Sequence, residues 1–223
     1  SFKKENKYRY RNNGRRTERL DLMTVLPLRA IPIISYKNVY SLNKKELDTL
    51  KKTKYRPPKE GHYLSKTVSL LENKTFVSLK KFIIESAEKY TRDILGIKDQ
   101  IYLTQSWSTL NPTNARHQIH SHPNTFISLV YYAQCKSGAL KFLLDTSSIQ
   151  ECFNFQYTID KYTIFNSQSW TLPMETGDIV LFPGHIRHGS TPNKSSESRI
   201  IVGANFFLKG KLGTKEDVNL ITL

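Results

Sequence analysis

The sequence predicts an α+β fold that is mainly β, with helices in the N-terminal half buttressing a β-sandwich or barrel. Three observations predict it. The clearest helical periodicity lies before residue 96. From residue 101 onward, short apolar and alternating segments follow one another, separated by turn signals. Helices first and strands afterwards is the pattern of helices covering a sheet, and 223 residues with 11 Phe, 12 Tyr and 2 Trp can bury one sizeable core.

Residues 1–20 read as a solvated, flexible basic arm. Lys3, Lys4, Lys7, Arg9, Arg11, Arg15, Arg16 and Arg19 stand there against Glu5 and Glu18. The apolar stretch Leu22 to Leu28, continued by Ile31 to Ile34, carries Pro27 and Pro32. It predicts an edge strand or an irregular extended segment. Asn43 followed three residues later by Glu46 predicts a capping box that opens a short basic helix over about 44–52. Pro57-Pro58 marks a loop from Lys54 to Gly61. A longer helix is expected over about 75–95. Phe76, Leu79, Phe82, Ile83, Tyr90 and Ile94 recur there at helical spacing, with Gly96 at the C-terminal cap. That stripe reads as core.

Strands are expected over 101–108, 116–122, 125–134, 139–144, 151–157, 162–166, 169–173, 178–182 and 199–208. Asn111-Pro112, Pro123-Asn124, Ser137-Gly138, Thr176-Gly177 and Pro192-Asn193 supply turns between several of them. The resulting organisation is an arm over 1–20 and a single domain over 21–223. That domain holds a helical buttress over about 40–96 and a barrel over about 100–210, without internal repeats.

The net charge of +15, from 34 Lys+Arg against 19 Asp+Glu, is compatible with a polyanionic partner such as nucleic acid. Tyr8 and Tyr10 among the cations of the arm leave base stacking open. No apolar run approaches 18 residues, so no membrane span is expected, and the basic N-terminal residues contain no secretory h-region. Cys135 and Cys152 lack a framework spacing and read as reduced thiols in a cytoplasm.

The chemistry is concentrated in His120-Ser121-His122, His188 and Arg199. Histidines two positions apart share one face of a strand, and neutral imidazole is a common ligand for iron, zinc, copper and nickel. His188 follows the turn–strand–turn Gly177 to Gly184 and can bring a third imidazole to the first two. Arg199 enters an apolar strand, where a buried guanidinium requires an anionic partner. A ligand carboxylate fits, and Asp145 or Glu197 are the protein alternatives. Together these residues suit an iron enzyme with a dicarboxylate co-substrate.

Of Tyr131 and Tyr132 in one strand, one is expected inside the barrel, where a phenol can bond a carboxylate, and the other outside. His117 is expected in the pocket or behind the ligands, His185 at the solvent or rim, His62 in a structural role, and Trp107 in the core.

These residues resemble the Fe(II)/2-oxoglutarate-dependent dioxygenases. Members of that superfamily carry His-x-Asp/Glu, a distal His, and an Arg or Lys roughly ten residues further on. The narrower resemblance is to a family of 2-oxoglutarate/Fe(II) oxygenases found in marine bacteria and phages. It rests on Trp107, His117, His120, His122-Pro123, Ser128, Tyr131-Tyr132, Gly138, Phe142, Gly177-Asp178, Phe182-Pro183, His188 and Arg199, within about residues 65–208. The resemblance implies a double-stranded β-helix (jelly-roll) core buttressed by N-terminal helices. It also implies Fe(II) on His120, His122 and His188, and 2-oxoglutarate held by Arg199 with Tyr132 and Tyr131. O2 would be the oxidant, and a hydroxylation would be coupled to decarboxylation of the co-substrate. The location implied is the cytoplasm, that of the host if the chain is phage-encoded.

Two departures from the pattern stand out. His122 occupies the carboxylate position, so either it ligates or a carboxylate comes from elsewhere. Leu129 and Asn114 stand where relatives tend to carry Gly. Asn tolerates the left-handed conformation, and Leu129 is expected to narrow the pocket.

Two other classes fit parts of the pattern. A cupin-type metalloprotein shares His-x-His and a Gly-Asp…Pro-Gly…His segment. It usually adds a Glu shortly after the His pair, absent here between 123 and 150, and gives Arg199 no role. A basic, non-enzymatic jelly roll binding nucleic acid fits the charge. The primary substrate, a protein residue or nucleic acid, is not specified by these motifs.

Overall fold

The structure is a computed structural model that describes residues 30–58, 61–153 and 155–223. By internal contacts the chain divides into Ser1–Ile31 and Pro32–Leu223. The expected arm over 1–20 and the apolar stretch Leu22 to Leu28 lie outside the described residues.

The second unit begins with β1 (Ile34–Tyr36) and α1 (Lys44–Lys51). The Asn43 side chain accepts from Glu46 N–H at 2.9 Å, and the Glu46 carboxylate accepts from Asn43 N–H at 2.9 Å, as the capping box requires. After β2 (Tyr63–Leu64) comes α2 (Val77–Lys89), which buries Leu79, Ile83 and Ala87. The helix then widens into a π turn, Tyr90–Ile94, before Gly96 reverses the chain at φ +67°. That extra residue per turn shifts the expected stripe. Tyr90 stays fully buried, while Ile94 is rotated out to 50% exposure.

The β region follows in order: β3 (Gln100–Asn111), β4 (Ile127–Gln134), β5 (Ala139–Leu143), a short helix α3 (Ser148–Cys152), β6 (Ser169–Pro173), β7 (Ile179–Pro183), β8 (Arg187–Ser190), β9 (Arg199–Lys209), and the small hairpin β10 (Lys211–Leu212) and β11 (Ile221–Thr222). Six strands form one antiparallel sheet in the order β1-β7-β4-β9-β3-β2, and three form a second in the order β6-β5-β8. β1 lies at a sheet edge, where Pro32 just before it does no harm to the ladder.

The central strands of the large sheet are buried on both faces. Ile127, Leu129 and Tyr131 of β4 join Ile200, Val202, Ala204 and Phe206 of β9 in a core shared with Leu79 and Ile83 of α2. On the other face, Val130 and Tyr132 pack with Phe142 of β5 and Phe182 of β7. Alternation therefore assigns the side chains of 127–132 in β4 and 200–206 in β9 either to the helices or to the interior between the two sheets.

Several expectations are corrected. Residues 116–122 form no strand. They pair through a single bridge, His120 with His188, whose two N–H···O bonds are 2.9 and 2.8 Å, and through His122 N–H to Gly184 O at 2.9 Å. The segment expected as a strand over 151–157 begins in α3, because Ser147 and Gln150 close a second capping box. Residues 162–166 make a turn in which Thr163 N–H donates to the Asn166 side chain at 2.6 Å, a local bond that competes with strand pairing. β8 was not expected: Arg-His-Gly-Ser has little strand propensity and extends because Phe142 and Lys141 of β5 pair with His188 and Gly189. Leu129 does not narrow the pocket, because its side chain is on the helix-facing side. Asn114 does adopt the left-handed conformation, at φ +64°.

Candidate metal and co-substrate site

Between the sheets lies a pocket lined by residues of both. It brings together His120, His122, His188, Tyr132 and Arg199 of the expected site, with His117 and Trp107 also in its wall. One ring nitrogen from each of His120, His122 and His188 lies within 4.8 Å of the others. Among the described residues no carboxylate joins this group, so the only donor at the expected carboxylate position is His122 itself.

The tautomers follow from the hydrogen bonds. Nδ1 of His120 is 2.8 Å from Gln118 O, and Nδ1 of His188 is 2.8 Å from Ile186 O. A carbonyl oxygen only accepts, so each Nδ1 carries its proton. His122 Nδ1 likewise donates to Asn205 Oδ1 at 2.8 Å, and that oxygen also accepts from Ser128 Oγ at 3.0 Å. All three Nε2 atoms are left as lone-pair donors aimed into one space. Those of His120 and His122 stand 3.0 Å apart. Two lone pairs facing each other at that distance repel unless a cation lies between them. The separation equals that of two imidazoles at right angles on a metal with bonds of about 2.1 Å. The donor set therefore fits a divalent transition ion with open positions.

The environment of His122, His188 and His117 favours their neutral forms. Burial, followed by the neighbouring His120, pushes His188 down to about 3. Burial is also the first cause for His122, which is lowered despite its bond to Asn205. His117 is pushed down to about 2, again by burial first and then by His120. Its ring stacks on His120 with centroids 4.3 Å apart and lies 4.2 Å from the buried His62. His117 thus takes a position in the pocket wall behind His120, and His185 is exposed as expected. Trp107 is in the wall as well. Its indole packs where Gly203 faces it across the β3–β9 pair, and a Cβ on Gly203 would come within 2.5 Å of the ring.

At the other end of the pocket is Arg199, only 2% exposed. Its Nη2 donates to Ser190 Oγ at 2.8 Å and Thr191 O at 3.0 Å, and Nη1 to Ser137 O at 3.4 Å. Neither protein alternative reaches it: Asp145 pairs with Arg187 and Glu197 with Lys136. A buried guanidinium with no carboxylate among the described residues is able to take an external anion. Gly138 leaves the space its side chain needs.

Tyr132 faces this pocket, its ionisation suppressed by burial. Tyr131 is a correction. It points to the helices, where its hydroxyl donates to Tyr40 O at 3.1 Å, because successive strand residues face opposite ways.

Sequence reading missed Asn205 and Ser190. Both were accessible to it: Asn205 shares the parity of Arg199 in an otherwise apolar strand, and Ser190 shares that of His188.

The family model described as "Putative 2OG-Fe(II) oxygenase" matches residues 105–205, from within β3 to within β9. No curated protein sequence matches the chain. Among solved structures, HygX from Streptomyces hygroscopicus with nickel and 2-oxoglutarate bound is similar at TM-score 0.56 and 9% identity, over 79% of this chain and 82% of that one. An oxidoreductase of the 2OG-Fe(II) oxygenase family from Burkholderia pseudomallei gives 0.53 and 9%, over 78% and 83%. A prolyl hydroxylase in complex with a hypoxia inducible factor peptide fragment, from Trichoplax adhaerens, gives 0.53 and 10%, over 78% and 83%. At such identities the likeness is one of fold.

Proposed function

We propose that the chain is a 2OG-Fe(II) oxygenase, the family whose model matches residues 105–205, and that His120, His122 and His188 hold its iron while Arg199 and Tyr132 hold its 2-oxoglutarate. On this reading the chain is an Fe(II)- and 2-oxoglutarate-dependent dioxygenase. When bound, the metal and co-substrate supply the oxidising chemistry: 2-oxoglutarate and O2 give succinate and CO2, and one oxygen atom enters a substrate C–H bond. The residues of the chain position and shield. The Nδ1–H bonds of the three imidazoles hold every Nε2 inward. The Arg199 guanidinium, fixed by Ser190 and Thr191, offers its charge to the far carboxylate, and the Tyr132 phenol can donate to the same group.

The observation that carries this assignment is the pairing of three convergent Nε2 atoms with a buried arginine that no carboxylate among the described residues neutralises. A cupin reading gives that arginine no purpose. The test is an anaerobic titration of the metal-free protein with Fe(II) and 2-oxoglutarate, followed in the visible spectrum. A weak charge-transfer band that needs both ligands is expected. It should vanish in His188→Ala and weaken severely in Arg199→Ala. A folded protein that binds metal and gives no band would overturn the assignment.

For the primary substrate, the +15 charge and the cationic residues of 1–20 favour a polyanion-associated target over a neutral small molecule. A hydroxylated protein residue is the second candidate, motivated by the prolyl hydroxylase of similar fold. Turnover that falls steeply with salt supports the first; salt-independent turnover excludes it. Cys135 and Cys152 are both free thiols, which supports a reducing, cytoplasmic location. No helix among the described residues is long and apolar enough to cross a membrane.

A further inference from the structure

β3 presents Trp107, Thr109 and Asn111 to the interior, opposite Gly203, Ile201 and Arg199 of β9. Asn111 is 2% exposed, forms part of the pocket wall and is the register partner of Arg199. Among the described residues its Oδ1 is buried without a hydrogen-bond partner, and so is Thr109 Oγ1 two positions before it. A buried carboxamide oxygen left bare costs about 1–3 kcal/mol, and native interiors keep few of them. Apolar residues occupy neighbouring inward positions without difficulty, Ile201 and Val130 among them. An uncompensated amide beside an uncompensated guanidinium is therefore a ligand-binding feature and not a packing one.

Strands β4, β9 and β3 are neighbours, so Tyr132, Arg199 and Asn111 come from three adjacent strands into one pocket. A phenol, a guanidinium and a carboxamide together can surround a carboxylate. The amide suits this because a half-turn of its terminal torsion exchanges Oδ1 for Nδ2, converting the bare acceptor position into a donor.

We propose that Asn111 is a further co-substrate contact, its Nδ2 donating to the carboxylate that Arg199 anchors, and that it contributes to selecting a 2-oxo diacid of the right length. This rests on the reading of Arg199 as the carboxylate anchor. A 2-oxo acid whose second carboxylate falls short leaves the amide bare again, and leaving a built polar site unmatched is what discriminates strongly between ligands.

The experiment measures 2-oxoglutarate binding to the Fe(II)-loaded full chain without O2, and Mn(II) binding separately, for the wild type, Asn111→Ala, Asn111→Asp, Asn111→Ser and Arg199→Ala. Asn111→Asp is isosteric and has Arg199 opposite, so it retains a partner even where Asn111→Ala loses stability. The expected result is 2-oxoglutarate affinity weakened about tenfold or more in Asn111→Ala and Asn111→Ser, the loss of one good hydrogen bond to a charge. Asn111→Asp should bind more weakly still, by like-charge repulsion and by occupying Arg199. Mn(II) affinity should be unchanged in all three, and the preference for 2-oxoglutarate over 2-oxoadipate and oxaloacetate should shrink. Affinity and preference within about twofold of wild type in Asn111→Ala and Asn111→Asp, with Arg199→Ala impaired, overturn the role of Asn111 alone. Arg199→Ala binding as well as wild type overturns the carboxylate-anchor reading and the inference with it.

Discussion

Asn205 Oδ1 lies 2.8 Å from His122 Nδ1, so a carboxamide on β9 decides which nitrogen of His122 faces the other two imidazoles. Without that acceptor the ring could carry its proton on Nε2 and turn a donor toward the metal position. Partners of this kind typically change metal affinity 10- to 100-fold. Asn205→Ala is therefore expected to weaken Fe(II) or Mn(II) binding by about that factor, read by anaerobic titration, while Asn205→Asp, which keeps an acceptor, binds at least as well as wild type. Equal affinity in Asn205→Ala would mean that His122 is oriented by something else.

Tyr131 and Tyr132 are adjacent in sequence and opposite in consequence. Tyr132→Phe removes a pocket hydroxyl and is expected to raise KM for 2-oxoglutarate several-fold with little change in thermal stability. Tyr131→Phe loses the bond to Tyr40 O and should lower stability by about 1 kcal/mol, leaving that KM unaltered. Steady-state kinetics and urea unfolding of the pair check this; a raised KM in Tyr131→Phe would contradict the strand parity.

Gly138 adopts φ +139°, and a Cβ there would collide with Arg199 Nη1. Gly138→Ala is expected to displace the guanidinium, raising KM for 2-oxoglutarate about tenfold or more while metal binding persists. Isothermal titration with Mn(II) and then 2-oxoglutarate separates the two. Parallel loss of both ligands would point to a general collapse of the turn instead.

The buried imidazoles make the metal-free protein sensitive to acid. His188 is held near 3 and His117 near 2, against about 6.5 in the unfolded chain, and His122 is lowered too. As pH falls below 6.5, the unfolded state takes up protons that the folded state refuses, so stability declines; above 6.5 both states are neutral and stability is flat. Urea midpoints of the metal-free protein should fall between pH 7 and pH 5, above the main carboxylate range. A constant midpoint would mean that these rings titrate normally when folded.

Local sequence pattern alone carried the helix-then-strand order, the capped helix at Asn43, the buried helical stripe, most strands of the large sheet, and the choice of His120, His122, His188 and Arg199 as candidate site residues. Those features are local: a cap, a period, a turn or a residue type states them within a few positions. The tertiary structure decided what depends on partners. The His120–His122 segment is no regular strand yet converges on His188, because cross-chain bonds to His188 and Gly184 hold it. β8 extends only because β5 is beside it. The choice of Tyr132 over Tyr131, and the outward turn of Leu129, follow from which face of β4 the helices cover. That neither Asp145 nor Glu197 partners Arg199 could emerge only once both were seen bound to other cations. Pairing between residues distant in the chain is set by the packing of whole elements, which no local pattern encodes.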